Sequence, residues 1–244
     1  GAPGRRRDPG GGARVARRRF PDPMSRTVFI TGASNGIGAA CARAFAAKGD
    51  RVILAARSAD ALAALADDLN AALGAGTALP VALDVTDHQA HLDVVRDLPD
   101  EWAAIDVAVL NAGLAKGFGP IWENPPAEVD AMIDTNIVYC ASKPAVLALS
   151  DGLKVDLHGT PLRVSAVSPG IVETDFSLVR FDGDAARADA VYSDTVALTA
   201  EDVADAVVYC AHAPEHVNVQ ELLLTPRVQS GFTMIARGEA AQGR

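Results

Sequence analysis

Long apolar runs are missing from this 244-residue chain. None approaches the roughly 18 residues needed to cross a bilayer, so no membrane-spanning role is expected. Cysteine is scarce: Cys41, Cys140 and Cys210 are scattered and odd in number. Such a set gives neither a disulfide framework nor a zinc site, and it points to a reducing, cytoplasmic compartment. Positive charge is concentrated in one stretch. Residues 1–23 hold seven Arg and two Asp, so the net charge of −9 leaves −14 on the other 221 residues. An acidic body argues against nucleic acid as the main partner. His88 and His91 lie three apart with no third ligand near them, so no metal site is expected.

Apolar residues are plentiful, at 49%, and the length suits one α/β domain spanning residues 24–244. Residues 1–23 are rich in Gly, Pro and Arg and are expected to form an unstructured tail. Arg17-Arg18-Arg19 is followed by Pro21-Asp22-Pro23 rather than by the apolar segment of an export signal. Met24 looks like a natural beginning.

From there strands and helices alternate. Strands are predicted at 28–30, 51–56, 79–83 and 105–110, with helices at 37–48, after Ser58, and at 88–97. Ser58 is a candidate N-cap, and Leu62, Leu65, Leu69 and Leu73 form one apolar stripe facing a core. Helix 144–158, strand 162–167, helix 201–211 and a last strand near 219–224 follow. Four strand–helix repeats with short connections imply right-handed crossovers and a Rossmann-like, doubly wound parallel sheet.

Thr31-Gly32-Ala33-Ser34-Asn35-Gly36-Ile37-Gly38 joins the first strand to the first helix. Glycine lets the backbone turn sharply and approach a pyrophosphate, and the helix start offers free N–H groups and a positive dipole end. A glycine triplet alone is a weak signal; the strand before it and the helix after it make this one specific. Gly32-x-x-x-Gly36-x-Gly38, Asn111-Ala112-Gly113 and Tyr139-x-x-x-Lys143, in that order, resemble the short-chain dehydrogenase/reductase family over residues 24 to about 228. The resemblance implies an NAD(P)-dependent oxidoreductase. It implies cofactor contacts from Gly32, Ser34, Asn35, Gly36, Ile37 and Gly38, and from Asp84 and Val85 at the adenine. Asn111, Ala112 and Gly113 would line the ribose, and Pro169, Gly170 and Thr174 would flank the nicotinamide.

An acidic side chain ending the second strand would bind the adenosine ribose and favour NAD. Ala56 stands there instead, followed by Arg57, which can pair with a 2′-phosphate. NADP is therefore expected rather than NAD; the alternative is that Arg57 is simply a solvated side chain.

Tyr139 and Lys143 are four apart and share a helix face. A nearby ammonium favours the phenolate, so the pair suits acid–base work at a substrate hydroxyl, with both residues also touching cofactor by resemblance. One departure from the family is large. Asn136 precedes Tyr139 by three residues, whereas the family places a strand ending in a catalytic serine between such elements. Roughly three dozen residues, about one strand and one helix, look absent. Asn136 is either the family's helix asparagine or one that happens to precede the tyrosine. With the unit gone, strand 162–167 is free to slide beside the fourth strand and bring Ser168 toward Tyr139. The fused segment 126–158, if fully helical, is too long for one crossover and is expected to break at Pro144.

After the Pro-Gly turn, residues 175–195 occupy the place of the family's substrate lid. Asp175 to Phe181, Val196 to Val203 and His216 to Val219 resemble members that oxidise small 3-hydroxy acids such as serine or 3-hydroxypropionate. Arg180 is the candidate clamp for a substrate carboxylate; the alternative is a surface ion pair with Asp182 or Asp184. The family associates as homodimers or homotetramers through helices that the missing segment interrupts. A competing expectation is a non-catalytic nucleotide-binding relative, silenced by loss of the serine segment.

Overall fold

Strand β1, Thr27–Thr31, is buried at every position. Such a run is built for the middle of a parallel sheet covered on both faces. The computed structural model, which describes residues 26–113, 137–231 and 234–242, with 137–142 as backbone only, places it there. The predicted tail and Asn136 lie outside those residues. Around β1 stand β2 (Arg51–Ala56), β3 (Ala78–Ala82) and β4 (Val107–Val109), in the order β3-β2-β1-β4. Every pair is parallel, with Thr27 opposite Arg51 and Val28 opposite both Val52 and Val107.

Alternation along the strands divides the core. Val28, Ile30, Val52 and Leu54 face α1 (Gly36–Ala47) and α2 (Ala59–Leu73), joined by Ala204 and Val208 of α7 (Ala200–His212). Phe29, Ile53 and Ala55 point the other way, onto Leu83, Leu98 and Trp102. That second face is thinly covered, since α3 (His88–Asp97) has no fully buried residue. The α2 stripe is core at Leu62, Leu65 and Leu69, but Leu73 at the last turn is half exposed. Ser58 occupies the N-cap position without bonding the helix through its side chain. Gly49 follows α1 at φ +87° and ends it, as expected.

The second half differs from the sequence expectation in two ways. Helix α4 runs unbroken from Ile137 to Asp156 with Pro144 inside it. Pro144 offers no N–H to the carbonyl one turn back, yet the helix continues past it, with residues 143–146 exposed. Strand β5 is Ala166–Pro169 rather than 162–167, and it pairs with β6 (Glu221–Leu224) in a separate two-stranded parallel sheet. Among the described residues β4 pairs only with β1, so β5 has not moved into the slot beside it. Ser168 stands opposite Leu223 instead. The nearer attraction is α7, which leads into β6 and packs on β5, β6 and α1. β4 itself offers only three residues of edge.

Between β5 and α7 lie the short helices α5 (Phe176–Arg180) and α6 (Ala185–Tyr192). The far end of α7 is clipped to the first half. His212 stacks on Phe45, its Nε2 lies 3.1 Å from buried Asp50, and Arg26 donates to the Ala211 carbonyl. A four-residue helix, α8 (Glu239–Gln242), ends the described chain. No helix among the described residues is long and apolar enough to cross a membrane.

Candidate functional site

The carboxyl ends of four parallel strands share one edge, where open α/β sheets bind ligands. The glycine loop follows β1, Arg57 follows β2, Asp84 and Val85 follow β3, and Asn111 to Gly113 follow β4. Two positions in the loop require glycine. Gly32 has φ +67°, a left-handed turn that L side chains resist. Gly38 packs so closely on the Gly32 carbonyl and the Asn111 amide that any Cβ would collide with them.

The loop is held by its neighbours. Thr31 Oγ1 accepts the Asn111 and Ala112 N–H groups, both at 3.0 Å. The Asn111 amide donates to the carbonyls of Thr31 at 3.1 Å and Gly32 at 3.4 Å. Ala33 N–H reaches the Ala55 carbonyl at 3.2 Å, tying the loop to β2. Thr31 escaped the sequence reading as a site residue; a hydroxyl directly before the first glycine was the available signal.

Beside the loop is a cavity of about 450 Å³. Ser34, Asn35, Gly36 and Arg43 line one side, and Glu173, Thr174, Asp175, Thr199 and Glu201 the other. Thr174 is the closest neighbour across Gly36, where a Cβ built on that glycine would lie 3.7 Å from it. Two helix starts face this space, and they are not equivalent. At α7, Thr199 and Asp202 form a reciprocal capping box, with Glu201 also in the first turn. Its donors are occupied and its dipole is opposed by acid. At α1, Asn35 makes no side-chain cap bond and the first turn carries no acid. Of the two helix starts, α1 is the one with backbone donors and dipole left uncompensated by side chains. Arg43, two turns along the same helix, is the cation among the described lining residues, another residue the motif did not mark.

At the β2 edge, Arg57 is exposed and attracts Asp84. Asp84 accepts the Thr86 N–H at 2.9 Å and the Thr86 hydroxyl at 2.8 Å. Those bonds, and then Arg57, hold its carboxyl below the usual aspartate value. An apolar groove of about 280 Å³ between β3 and α3, lined by Leu79, Val81 and Val94, contains no residue of the glycine loop.

The catalytic candidates are only partly described. Tyr139 falls in the first turn of α4, with its side chain outside the described residues. Lys143 is exposed as a residue, yet desolvation of its ammonium lowers its pKa. Neither Lys143 nor Arg180, the last residue of α5, belongs to the described lining of the cavity beside the loop. Within the predicted lid, the Ser177 hydroxyl, buried, lies 2.6 Å from that of Tyr192 and links α5 to α6.

A family model described as short chain dehydrogenase matches residues 26–138 and 136–183. Sulfoacetaldehyde reductase 2 of Chromohalobacter salexigens is 37% identical, covering 85% of this chain and 96% of its own. The NADP-dependent 3-hydroxy acid dehydrogenase YdfG of Escherichia coli K12 is 36% identical, over 83% and 96% of the two chains. A closed form of serine dehydrogenase solved with NADP+ superposes with a TM-score of 0.79 at 33% identity, covering 87% of this chain and all of that one.

Proposed function

Because the chain belongs to the short chain dehydrogenase family, we propose that it transfers hydride between NADP and a small 3-hydroxy acid, such as serine or 3-hydroxypropionate, or its carbonyl. The observation that carries this reading is the uncapped, acid-free start of α1 behind a loop too tight for side chains at Gly32 and Gly38. That is a phosphate cradle. Ser34, Asn35, Gly36 and Ile37 would hold the pyrophosphate, with Asp84 and Val85 at the adenine, Gly113 at the ribose, and Pro169, Gly170 and Thr174 flanking the nicotinamide. Asn111 acts from behind, through the loop backbone. Arg57, next to Ala56, supplies a cation for a 2′-phosphate where an acid would exclude one. The relatives named for NADP support the same choice.

The bound nicotinamide would supply hydride chemistry; the protein supplies the proton and the orientation. Tyr139 would exchange a proton with the substrate hydroxyl, and Lys143 on the same face of α4 would favour its phenolate and hold the ribose. Residues 175–195 form the lid of a single domain in this reading, and Arg180 clamps the substrate carboxylate.

A second reading, a nucleotide-binding relative without turnover, is favoured by particular observations. The family match falls into two stretches that meet at 136–138. Leu110, at the end of β4, is 82% exposed, and Val146, Leu149 and Leu153 lie uncovered along α4. These are surfaces that a further strand and helix would bury. A missing hydrogen-bond donor at the reacting carbonyl typically costs about a hundred- to a thousandfold in rate. Titration with NADPH and NADH, followed by nicotinamide fluorescence, separates the readings when run beside turnover of serine and 3-hydroxypropionate. Tighter NADPH binding with turnover supports the enzyme, and binding without turnover supports the silent relative. Failure to bind either dinucleotide refutes both.

A further inference from the structure

The wall opposite the glycine loop is held in place from outside the cavity, by a side chain that no motif marks. Gln229 lies in the turn after β6, five residues beyond Leu224. Its Oε1 accepts the Ile171 N–H at 2.9 Å, and its Nε2 donates to the Gly231 carbonyl at 3.4 Å. The amide presses so closely on Gly170 that a Cβ there would strike it. Gly170 N–H is bonded to Leu224 at 2.7 Å, which holds the chain flat under the glutamine. Beyond Ile171 the strand-like pairing continues, Leu198 N–H to Ile171 at 3.0 Å and Glu173 N–H to Leu198 at 2.8 Å. It delivers Thr174 onto Gly36.

The other side of Gln229 leads to the lid. Its backbone pairs antiparallel with Ile235, and Ala236 N–H reaches Val228 at 2.9 Å. Thr195 donates to the Ala236 carbonyl at 3.0 Å, while Arg237 donates to the carbonyls of Ser193 and, at 3.0 Å, Val191. One hydrogen-bonded path thus runs from the end of α6 through residues 234–237 and Gln229 to the turn that faces the glycine loop.

We propose that Gln229 is a positioning residue for the cofactor cavity: its amide sets the Gly170–Thr174 turn against the glycine loop and couples that turn to the end of the lid. The inference rests on reading the cavity as a dinucleotide site. Gln229 acts through its amide, by the short bond from the Ile171 N–H and the longer one to the Gly231 carbonyl. Losing that acceptor leaves Ile171 N–H unpartnered and the turn free to lift from Gly36.

The test compares the full chain with Gln229→Met, which keeps length but offers no good acceptor, and Gln229→Glu, which retains an oxygen toward Ile171. NADPH titration should show Q229M weakened about tenfold, as expected for one hydrogen bond and the group it orphans. Q229E should stay within about threefold of the unaltered chain, since the acceptor that matters is kept. Unfolding midpoints without cofactor should drop by only a few degrees in Q229M and less in Q229E, so all three chains are folded at the assay temperature. Gly170→Ala, which displaces the amide without removing it, should weaken NADPH as Q229M does. Hydrogen exchange at the Ile171 amide of the unaltered chain should slow on adding NADPH, a readout that needs no variant to fold. Equal NADPH affinity in Q229M, equal loss in Q229E, or Ile171 exchange indifferent to NADPH would each overturn the proposal. An unaltered chain that binds neither NADPH nor NADH would refute the proposed function itself and this inference with it.

Discussion

Replacing Thr31 by Val removes one hydroxyl from a nearly isosteric side chain and tests how the glycine loop is held. The hydroxyl accepts two backbone N–H groups at 3.0 Å and donates to the Val109 carbonyl at 3.4 Å. Thr31 is buried, so no water replaces the oxygen at its own position. Each orphaned buried donor costs about 1–3 kcal/mol. Asn111 N–H keeps the Val109 carbonyl at 3.1 Å, and Ala112 is exposed so that water can serve its N–H in part; a total of about 1–2 kcal/mol is expected. Equilibrium unfolding in urea should show the midpoint lowered with an unchanged slope. In a thermal scan the same loss lowers the midpoint by about 2–4 °C per kcal/mol for a chain of this size. Thr31→Ser is the control: it keeps the oxygen and loses one methyl group, at about 1 kcal/mol. NADPH affinity should fall in T31V and hold in T31S, because the oxygen connects the loop to the end of β4. Were T31S as destabilised as T31V, the methyl group rather than the hydrogen bonds would be anchoring the loop.

Arg57→Ala should reduce the preference for NADPH over NADH by about tenfold or more, the scale of a charge-assisted hydrogen bond, as read from paired dissociation constants. Arg180→Ala should raise KM for the hydroxy acid and leave NADPH binding intact, as steady-state kinetics and titration would show together. Lys143 has its pKa lowered by desolvation. A group that binds protons less readily when folded makes stability rise with pH, here between its folded value and the unfolded value of about 10.4. Lys143→Met should therefore flatten that rise of the cofactor-free chain's stability with pH, while abolishing any turnover. The Cys41 thiol, pushed up to about 12 by burial, should resist alkylation at pH 8 until the protein unfolds, as peptide mass spectrometry would report.

Local chemistry explains how much of this fold could be read in advance. The β2 strand and α3 fall on their predicted residues because each is bounded by a strong signal: a glycine before β2, and Asp87 accepting from Gln89 and Ala90 at the start of α3. The glycine loop was equally legible, since Gly32 and Gly38 are constrained within a few residues of chain. The placement of β5 was not. Its choice of β6 over β4 depends on where α7 docks, a long-range packing event with no local trace. Pro144 misled because losing one N–H weakens a helix without always ending it. Arg43 reaches the cavity and Gln229 the turn behind it through tertiary proximity, and neither stands in a motif.

The two sheets of this protein share no hydrogen-bonded rung among the described residues. What joins them is chiefly α7 lying on α1, with Ala204 and Val208 in one core cluster with Ala39 to Ala42, and a clip from His212 and Arg26 at the far end of α7. A ladder would lock the halves to a fixed repeat of about 3.3 Å along the strands. A helix interface instead permits small sliding adjustments in which side chains repack while the backbones stay whole. The distance between Thr174 and Gly36 is then a property of a greasy bearing rather than of a rigid frame. Substitutions on α1 and α7 far from any phosphate would be felt as changes in the width of the cleft.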